Sequence, residues 1–437
     1  MSAEVDVVEA QVALGAGHIA LAASRARRAI AATETAGPFT VLCESLEVLG
    51  RVTRLHDMRA AEDLFERAHH VARLHDLPVW QMRALHELST IDTLSSLRLD
   101  RLDAAGRLAE RIGAVATANV VALHRAGVLH MLGRCDEAVD QAAGCAATAR
   151  RVGLATLPIA MLFEAGARSS RGERSSAAAL EAEAVAASPD PLGEVIACGH
   201  RAVRCLLAED RARAIVHLQR GRDLIGDDPT LASPPTLGLA AVVLALVVGD
   251  PVEHVGVDGL TRWNAGMLGF ADAIAVGRRG AGGSAADAVF ADADALLFGP
   301  PDIPLFRRLA RRLVAEAAVA DGWGDPAAWL TAEAGWFADA GHDRVAAACR
   351  GLLARNGERL PRRTPGPTVP DRLQSAGVTG REMEVLLLVG EGLPNGEIAD
   401  RLYLSARTVE KHVERLLAKT GARSRLELVA RSARADW

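Results

Sequence analysis

The residues of this sequence best equipped for chemistry are cations gathered in one short stretch. Among 50 Lys plus Arg, lysine occurs only at Lys411 and Lys419, so the other 48 (50 − 2) are arginine. Both lysines fall between Ser405 and Gly421, together with Arg407, His412 and Arg415. Ammonium and guanidinium groups at helical spacing neutralise phosphates and donate hydrogen bonds to guanine edges. From Arg401 to Arg434 nine Arg or Lys face three Glu, a charge of +6. The whole chain carries −5, so the remainder sums to −11 (−5 − 6). A confined basic patch on an acidic molecule is the footprint of a protein that meets nucleic acid at one place.

Other chemistries find little support. His69 and His70 share a helical stretch with Glu62 and Glu66, near ligand spacing, but no H-E-x-x-H or cysteine partner accompanies them. A solvated polar face is the expectation there, and no metal or other cofactor is predicted. The glycine-rich run Gly277–Ser284 has no lysine after it and no strand before it, so it reads as a loop between helices and not as a phosphate cradle. No G-x-S-x-G elbow or dinucleotide fingerprint occurs, and the expectation is that the protein is not an enzyme. The six cysteines form no C-x-x-C pair and read as buried thiols of a reducing compartment. The first residues lack a basic, signal-like region, and the apolar run Leu237–Val248 is too short to span a bilayer. A soluble cytoplasmic protein without membrane contact is expected.

The elements that position the cations follow from composition and periodicity. Half the residues are apolar but only 3 % are aromatic, and alanine, leucine and arginine favour helix over strand. Apolar positions recur at three and four from about residue 10 to 355, with breaks at His75–Pro78, Ser188–Pro191 and Gly226–Pro229. Ala61, Phe65 and Ala68 form an i, i+4, i+7 pattern that Ala138, Ala142 and Cys145 repeat 77 residues later. Ala214, Leu218 and Gly221 repeat it after another 76. Two helical hairpins per interval give a period near 38 (77/2), so the expected fold is all-α, a TPR-like helical-repeat array over residues 1–355. A proline-rich linker, 356–373, separates it from a small C-terminal domain, 374–437.

Capping chemistry places four helices in that last domain. Thr379-Gly-Arg-Glu382 is a capping box, opening a helix with Val385, Leu386 and Val389 inside and an end at Gly392. A second helix starts near Asn395 and buries Ile398, Ala399 and Leu402. Ser405 caps a third, 406–420, which Gly421 ends in the left-handed region. Ser424-Arg-Leu-Glu427 opens a fourth. On the third, Val409, Val413, Leu416, Leu417 and Thr420 share one side, while Arg407, Lys411, Glu414 and Ala418 share the other beside Arg415. A cationic helix after a short helix and a tight turn is how a helix-turn-helix reader presents itself to a major groove. Lys411 and Arg407 suit guanine edges; His412, Lys419, Arg423 and Arg425 suit phosphates.

Thr379-x-Arg-Glu382, Gly392, Asn395, Glu397-Ile-Ala399, Leu402, Ser405, Thr408-Val409, His412 and Lys419 resemble the DNA-binding domain of LuxR/NarL/GerE-type transcription regulators. The resemblance covers about 65 residues. It implies that the third helix enters double-stranded DNA, that the fourth supports a homodimer, and that Asn395, Ser405, Thr408, Lys411 and Lys419 contact DNA. With Thr379 and the cations above, these form the expected site. Four positions depart from the pattern: Pro394 replaces a hydroxyl cap, Gly396 stands where a lysine is common, and Glu410 and Glu414 put carboxylates by the groove. A LuxR-type domain after helical repeats is similar to the C-terminal half of large ATP-binding or maltose-regulator-like regulators, although no G-x-x-x-x-G-K-[ST] occurs here. The expected function is a DNA-binding transcriptional regulator, controlled by a protein or small-molecule effector on the array. The competing expectation is a repeat-type interaction scaffold without sequence-specific DNA binding.

Overall fold

A computed structural model describes residues 2–187, 191–225, 242–243, 245–247, 262–280, 283–298, 301–356, 369–370, 372–373, 376–378, 380–402 and 406–433. All secondary structure among them is helical. The chain divides into two compact units. The first takes in the residues up to Gly324 except Arg171–Glu173 and Leu207–Glu209; the second takes in those two short pieces and Asp325–Trp437. The division therefore falls one hairpin ahead of the linker expected at 356–373, of which 357–368 and 371 lie outside the described residues.

The first unit is a succession of helices joined mostly by short turns: α1 (Ala3–Gly15), α2 (Ile19–Thr33), α3 (Phe39–Thr53), α4 (Met58–Leu74), α5 (Pro78–Ser95), α6 (Asp100–Arg111), α7 (Val115–Met131), α8 (Cys135–Val152), α9 (Leu157–Ser170), α10 (Arg174–Ala187), α11 (Pro191–Leu207), α12 (Arg211–Ile225), α13 (Arg262–Arg278), α14 (Gly283–Phe298) and α15 (Pro304–Asp321). Turn chemistry sets the breaks. Asp57 accepts from the amide of Ala60 at 2.9 Å to start α4, and Pro78 occupies the first turn of α5. From α1 to α10 each helix packs on the one before it, and α1 on α3, α3 on α5 and α7 on α9 add the stacking of alternate helices. That is the contact pattern of a stacked hairpin array.

The small-residue repeat holds these layers together. Ala61, Phe65 and Ala68 on α4, Ala138, Ala142 and Cys145 on α8, and Ala214 and Leu218 on α12 are all buried. Phe65, the one ring in the pattern, fits because Gly50 of α3 has no side chain; a Cβ there would strike the ring. The period also brings like residues together: His86 of α5 and His124 of α7, 38 apart, meet with ring nitrogens 3.2 Å apart. Charged side chains bridge adjacent layers in the same way. Arg83 of α5 donates twice to Glu47 of α3, at 2.7 and 2.9 Å, and Arg51 and Arg54 both reach Glu87 at 2.7 Å. The buried carboxylates are thereby neutralised, and the flanking arginines hold Glu87 below its usual range against the opposing effect of burial.

Two features were not expected. The array is not purely nearest-neighbour, because α15 returns to α7, where a Cβ on Gly133 would approach Pro304 and the rings of His130 and Phe306 lie 6.3 Å apart, and to α12, where Arg211 pairs with Glu316 at 2.6 Å. The two ends of the glycine-rich run are also helical. Gly277 and Arg278 end α13 and Gly283 begins α14, with a turn at Arg279 and Gly280; 281–282 lie outside the described residues. Gly277 is required by packing, since a Cβ would collide with the indole of Trp323. Glu62 and Glu66 both pair with Arg101, at 2.8 and 2.7 Å. No helix among the described residues is long and apolar enough to cross a membrane.

The second unit contains a hairpin, α16 (Pro326–Asp339) and α17 (Asp343–Arg355), and the four helices α18 (Gly380–Gly390), α19 (Asn395–Leu402), α20 (Ala406–Thr420) and α21 (Arg425–Ala433). Those four enclose a core of their own. Leu373, Val378, Met383, Val385, Leu386, Val389, Ile398, Ala399, Val409, Val413, Leu416, Ala422 and Leu428 form one buried cluster drawn wholly from residues beyond 369.

Candidate nucleic-acid interface

Most residues of the inner faces expected from periodicity are buried: Val385, Leu386 and Val389 on α18, Ile398 and Ala399 on α19, Val409, Val413 and Leu416 on α20; Leu402, Leu417 and Thr420 are half-buried. Gly392, with φ 83°, turns the chain after α18, and Gly421, with φ 67°, ends α20; neither conformation suits a residue with a Cβ. Pro394 lies one residue ahead of α19, where its carbonyl accepts from the amide of Ile398 at 3.0 Å. A proline is harmless there, because no helical bond needs its missing N–H. The short α19 precedes α20, which lies with its apolar side inward.

Its other side faces solvent. Glu410, Lys411, Glu414, Arg415 and Ala418 are exposed and His412 is half-buried. Arg407 and Thr408 lie in the first turns of α20, but their side chains are outside the described residues, as are Thr379 and Ser405 altogether. Lys411 and Arg415, one turn apart, are the described cations that the helix presents outward. Glu410 and Glu414 alternate with them, so the face is mixed in charge and suits base edges better than a continuous run of phosphates.

Three expected phosphate or DNA contacts have other partners. Lys419 donates to both carboxylate oxygens of Glu382, at 2.9 and 2.6 Å, and Glu382 is buried, 2 % exposed. Its charge is neutralised inside the domain, so the structure gives it a positioning role between α20 and α18. Arg425 donates to the side-chain oxygen of Asn395 and to the carbonyl of Leu393, tying the start of α21 to the start of α19. The Asn395 oxygen and the Arg425 guanidinium are thus engaged with one another. Arg423 keeps an exposed side chain while its amide donates to Glu427 at 2.8 Å.

The capping box at Ser424 forms with a shift of one residue. Ser424 Oγ accepts from the amide of Glu427 at 3.3 Å, and the Glu427 carboxylate reaches the amide of Arg423 instead of that of Ser424. That amide, with the Arg431 guanidinium beside it, holds the Glu427 carboxyl below the usual range. Arg431 also donates to the carbonyl of Thr420 at 3.0 Å, capping the end of α20. Sequence reading missed Arg431 and the Glu382 pairing; the signal within reach was a basic residue one helix beyond the left-handed glycine.

Residues 376–432 match the model of bacterial regulatory proteins of the luxR family, and these residues are a LuxR-type helix-turn-helix domain. The chain is 59 % identical over 51 residues to the response regulator Rre1 of Synechocystis, covering 12 % of this chain and 22 % of Rre1. It is 46 % identical over 52 residues to the DNA-binding transcriptional activator DevR/DosR of Mycobacterium tuberculosis, covering 12 % and 24 %. It is 45 % identical over 49 residues to the oxygen regulatory protein NreC of Staphylococcus aureus, covering 11 % and 23 %. The chain thus spans less than a quarter of the length of each of these curated relatives.

Proposed function

We propose that the protein is a DNA-binding transcriptional regulator in which α20 enters the major groove and the helical array receives a protein or small-molecule effector. The observation that carries the proposal is the geometry of α20: its apolar side is fixed in a self-contained core and its outward side offers Lys411 and Arg415, with the short helix α19 preceding it. Lys411, with Arg407 a turn before it, reads bases; Arg415 and Arg423, both exposed, neutralise phosphates. Two copies on paired half-sites gain from the effective concentration that joins them. The luxR-family match and the regulators it resembles support this role.

Fluorescence anisotropy of the full chain on labelled duplexes, titrated with salt, tests the proposal. Counterion release predicts log K falling with log salt at a slope of about −0.9 per phosphate neutralised. Affinity for duplex that is absent or indifferent to salt favours the scaffold reading. The effector role is tested separately, by footprinting the chain on DNA upstream of its own gene with and without cell extract. A pattern unchanged by extract argues against control by the array.

A further inference from the structure

From Phe39 to Asp210 the described residues expose five large aliphatic side chains, Leu74, Val79, Val115, Val152 and Leu192, at between 37 % and 69 % of their surface. Their placement is not random. Leu74 and Val152 are the last residues of α4 and α8, Val115 is the first of α7, and Val79 and Leu192 are the second of α5 and α11. Every one therefore lies where an even-numbered helix gives way to an odd-numbered one. Helices that run back and forth through short turns put all such turns on one edge of the array and the odd-to-even turns on the other. No large aliphatic in this stretch is exposed on that second edge.

The edges also differ in charge. On the aliphatic edge Arg73, Arg111, Arg150 and Arg151 occupy the last turns of α4, α6 and α8, all exposed. Arg73, Arg111 and Arg151 have no carboxylate partner among the described residues, and Arg150 approaches Glu183 only to 3.9 Å. Asp76, Glu110 and Glu183 are the exposed acids nearby, which leaves the cations in excess by one (four minus three). On the opposite edge the arginines are internally paired, Arg98 with Asp100 at 2.8 Å and Arg134 with Glu137 at 2.6 Å.

Scattered exposed aliphatics need no explanation, but a row repeated along successive turns and flanked by unpaired cations is an interaction surface. We infer that this edge docks an acidic amphipathic helix of a partner protein, its aliphatic side covering Leu74, Val79, Val115 and Val152 and its carboxylates meeting Arg73, Arg111 and Arg151. Spaced apolar anchors fix such a helix, and complementary charge selects it over a basic one. The inference is independent of DNA reading by α20.

The test uses the full chain and a labelled helical peptide of leucine and glutamate at heptad spacing, with the same peptide carrying lysine in place of glutamate as control. The acidic peptide binds, and R111E and the double variant L74S/V115S each weaken it about tenfold. R134A on the opposite edge leaves it unchanged, and all three variants keep the wild-type circular dichroism melt. No binding of the acidic peptide, equal binding of both peptides, or an equal effect of R134A overturns the inference. So does preferential binding to phosphatidylserine vesicles, or self-association that the edge variants abolish, since these assign the edge to a membrane or to a second copy of the chain.

Discussion

Lys419 in the last turn of α20 places its ammonium 2.6 Å and 2.9 Å from the two carboxylate oxygens of Glu382 in the first turn of α18. Glu382 is buried, and the Lys419 side chain is 29 % exposed. The pair pins the far end of the reading helix to the helix that opens the domain. Removing one member of a buried pair strands the other charge, at about 3–5 kcal/mol, and the exposure of Lys419 puts this pair toward the lower end. K419M is therefore expected to lower the unfolding midpoint of the C-terminal domain, read as a separate transition in the melt of the full chain.

The same pairing yields a second expectation. A lysine already neutralised by Glu382 releases few counterions from DNA. Below its melting transition, K419M keeps the wild-type slope of log affinity against log salt, whereas R415A lowers that slope by about 0.9. A slope reduced equally in both variants would show that Lys419 leaves Glu382 to bind phosphate.

Lys411 is exposed and makes no packing contribution, so K411A leaves the melt unchanged. Loss of a base-edge contact removes about 1–3 kcal/mol of discrimination between the preferred duplex and a scrambled one. Competition binding with the two duplexes measures it; an equal loss on both would make Lys411 a phosphate contact.

Gly390 lets α18 approach α21, because a Cβ there would stand 2.6 Å from Ser432 Oγ and 2.8 Å from its Cβ. Overpacking costs about 1–3 kcal/mol, more than the gain in helix propensity from alanine, which is up to about 1 kcal/mol. G390A lowers the domain's stability in denaturant titration, and adding S432G recovers most of the loss.

Acid weakens the array through its histidines. Burial, with His200 close by, holds the His130 imidazole down at about 3. Burial, helped by Arg204 and by His86, holds His200 and His124 down at about 4. Unfolded, each titrates near about 6.5, so below that pH the unfolded chain binds protons that the folded one refuses. Their contribution is complete above about pH 6.5 and declines as pH falls toward the folded values. Each histidine accounts for about 2 kcal/mol of lost stability between about pH 6.5 and about pH 5. Urea unfolding at those two pH values measures the loss, and H130N should show less of it than the wild type.

Local chemistry was legible in the sequence and distant pairing was not. The starts of α19 and α20, the glycine ends at Gly392 and Gly421, and most of the inner faces of α18, α19 and α20 follow from capping residues and periodicity. The repeat was legible through its small residues, because buried alanines at fixed spacing have few other uses. What escaped lies between residues far apart in the chain. Nothing local to Lys419 distinguishes a phosphate contact from a partner for Glu382, 37 positions away. Arg425 likewise looked like a free cation until the fold brought Leu393 and Asn395 to it. The return of α15 to α7 breaks the nearest-neighbour logic of a repeat, so no periodicity could announce it.

Selection of duplexes from a randomised pool by the full chain tests the central claim most directly. If the outward side of α20 reads bases, selection converges on one sequence motif, and K411A converges on a different or more permissive motif. A pool that stays random under wild-type selection, or the same motif emerging from wild type and K411A alike, would contradict the account.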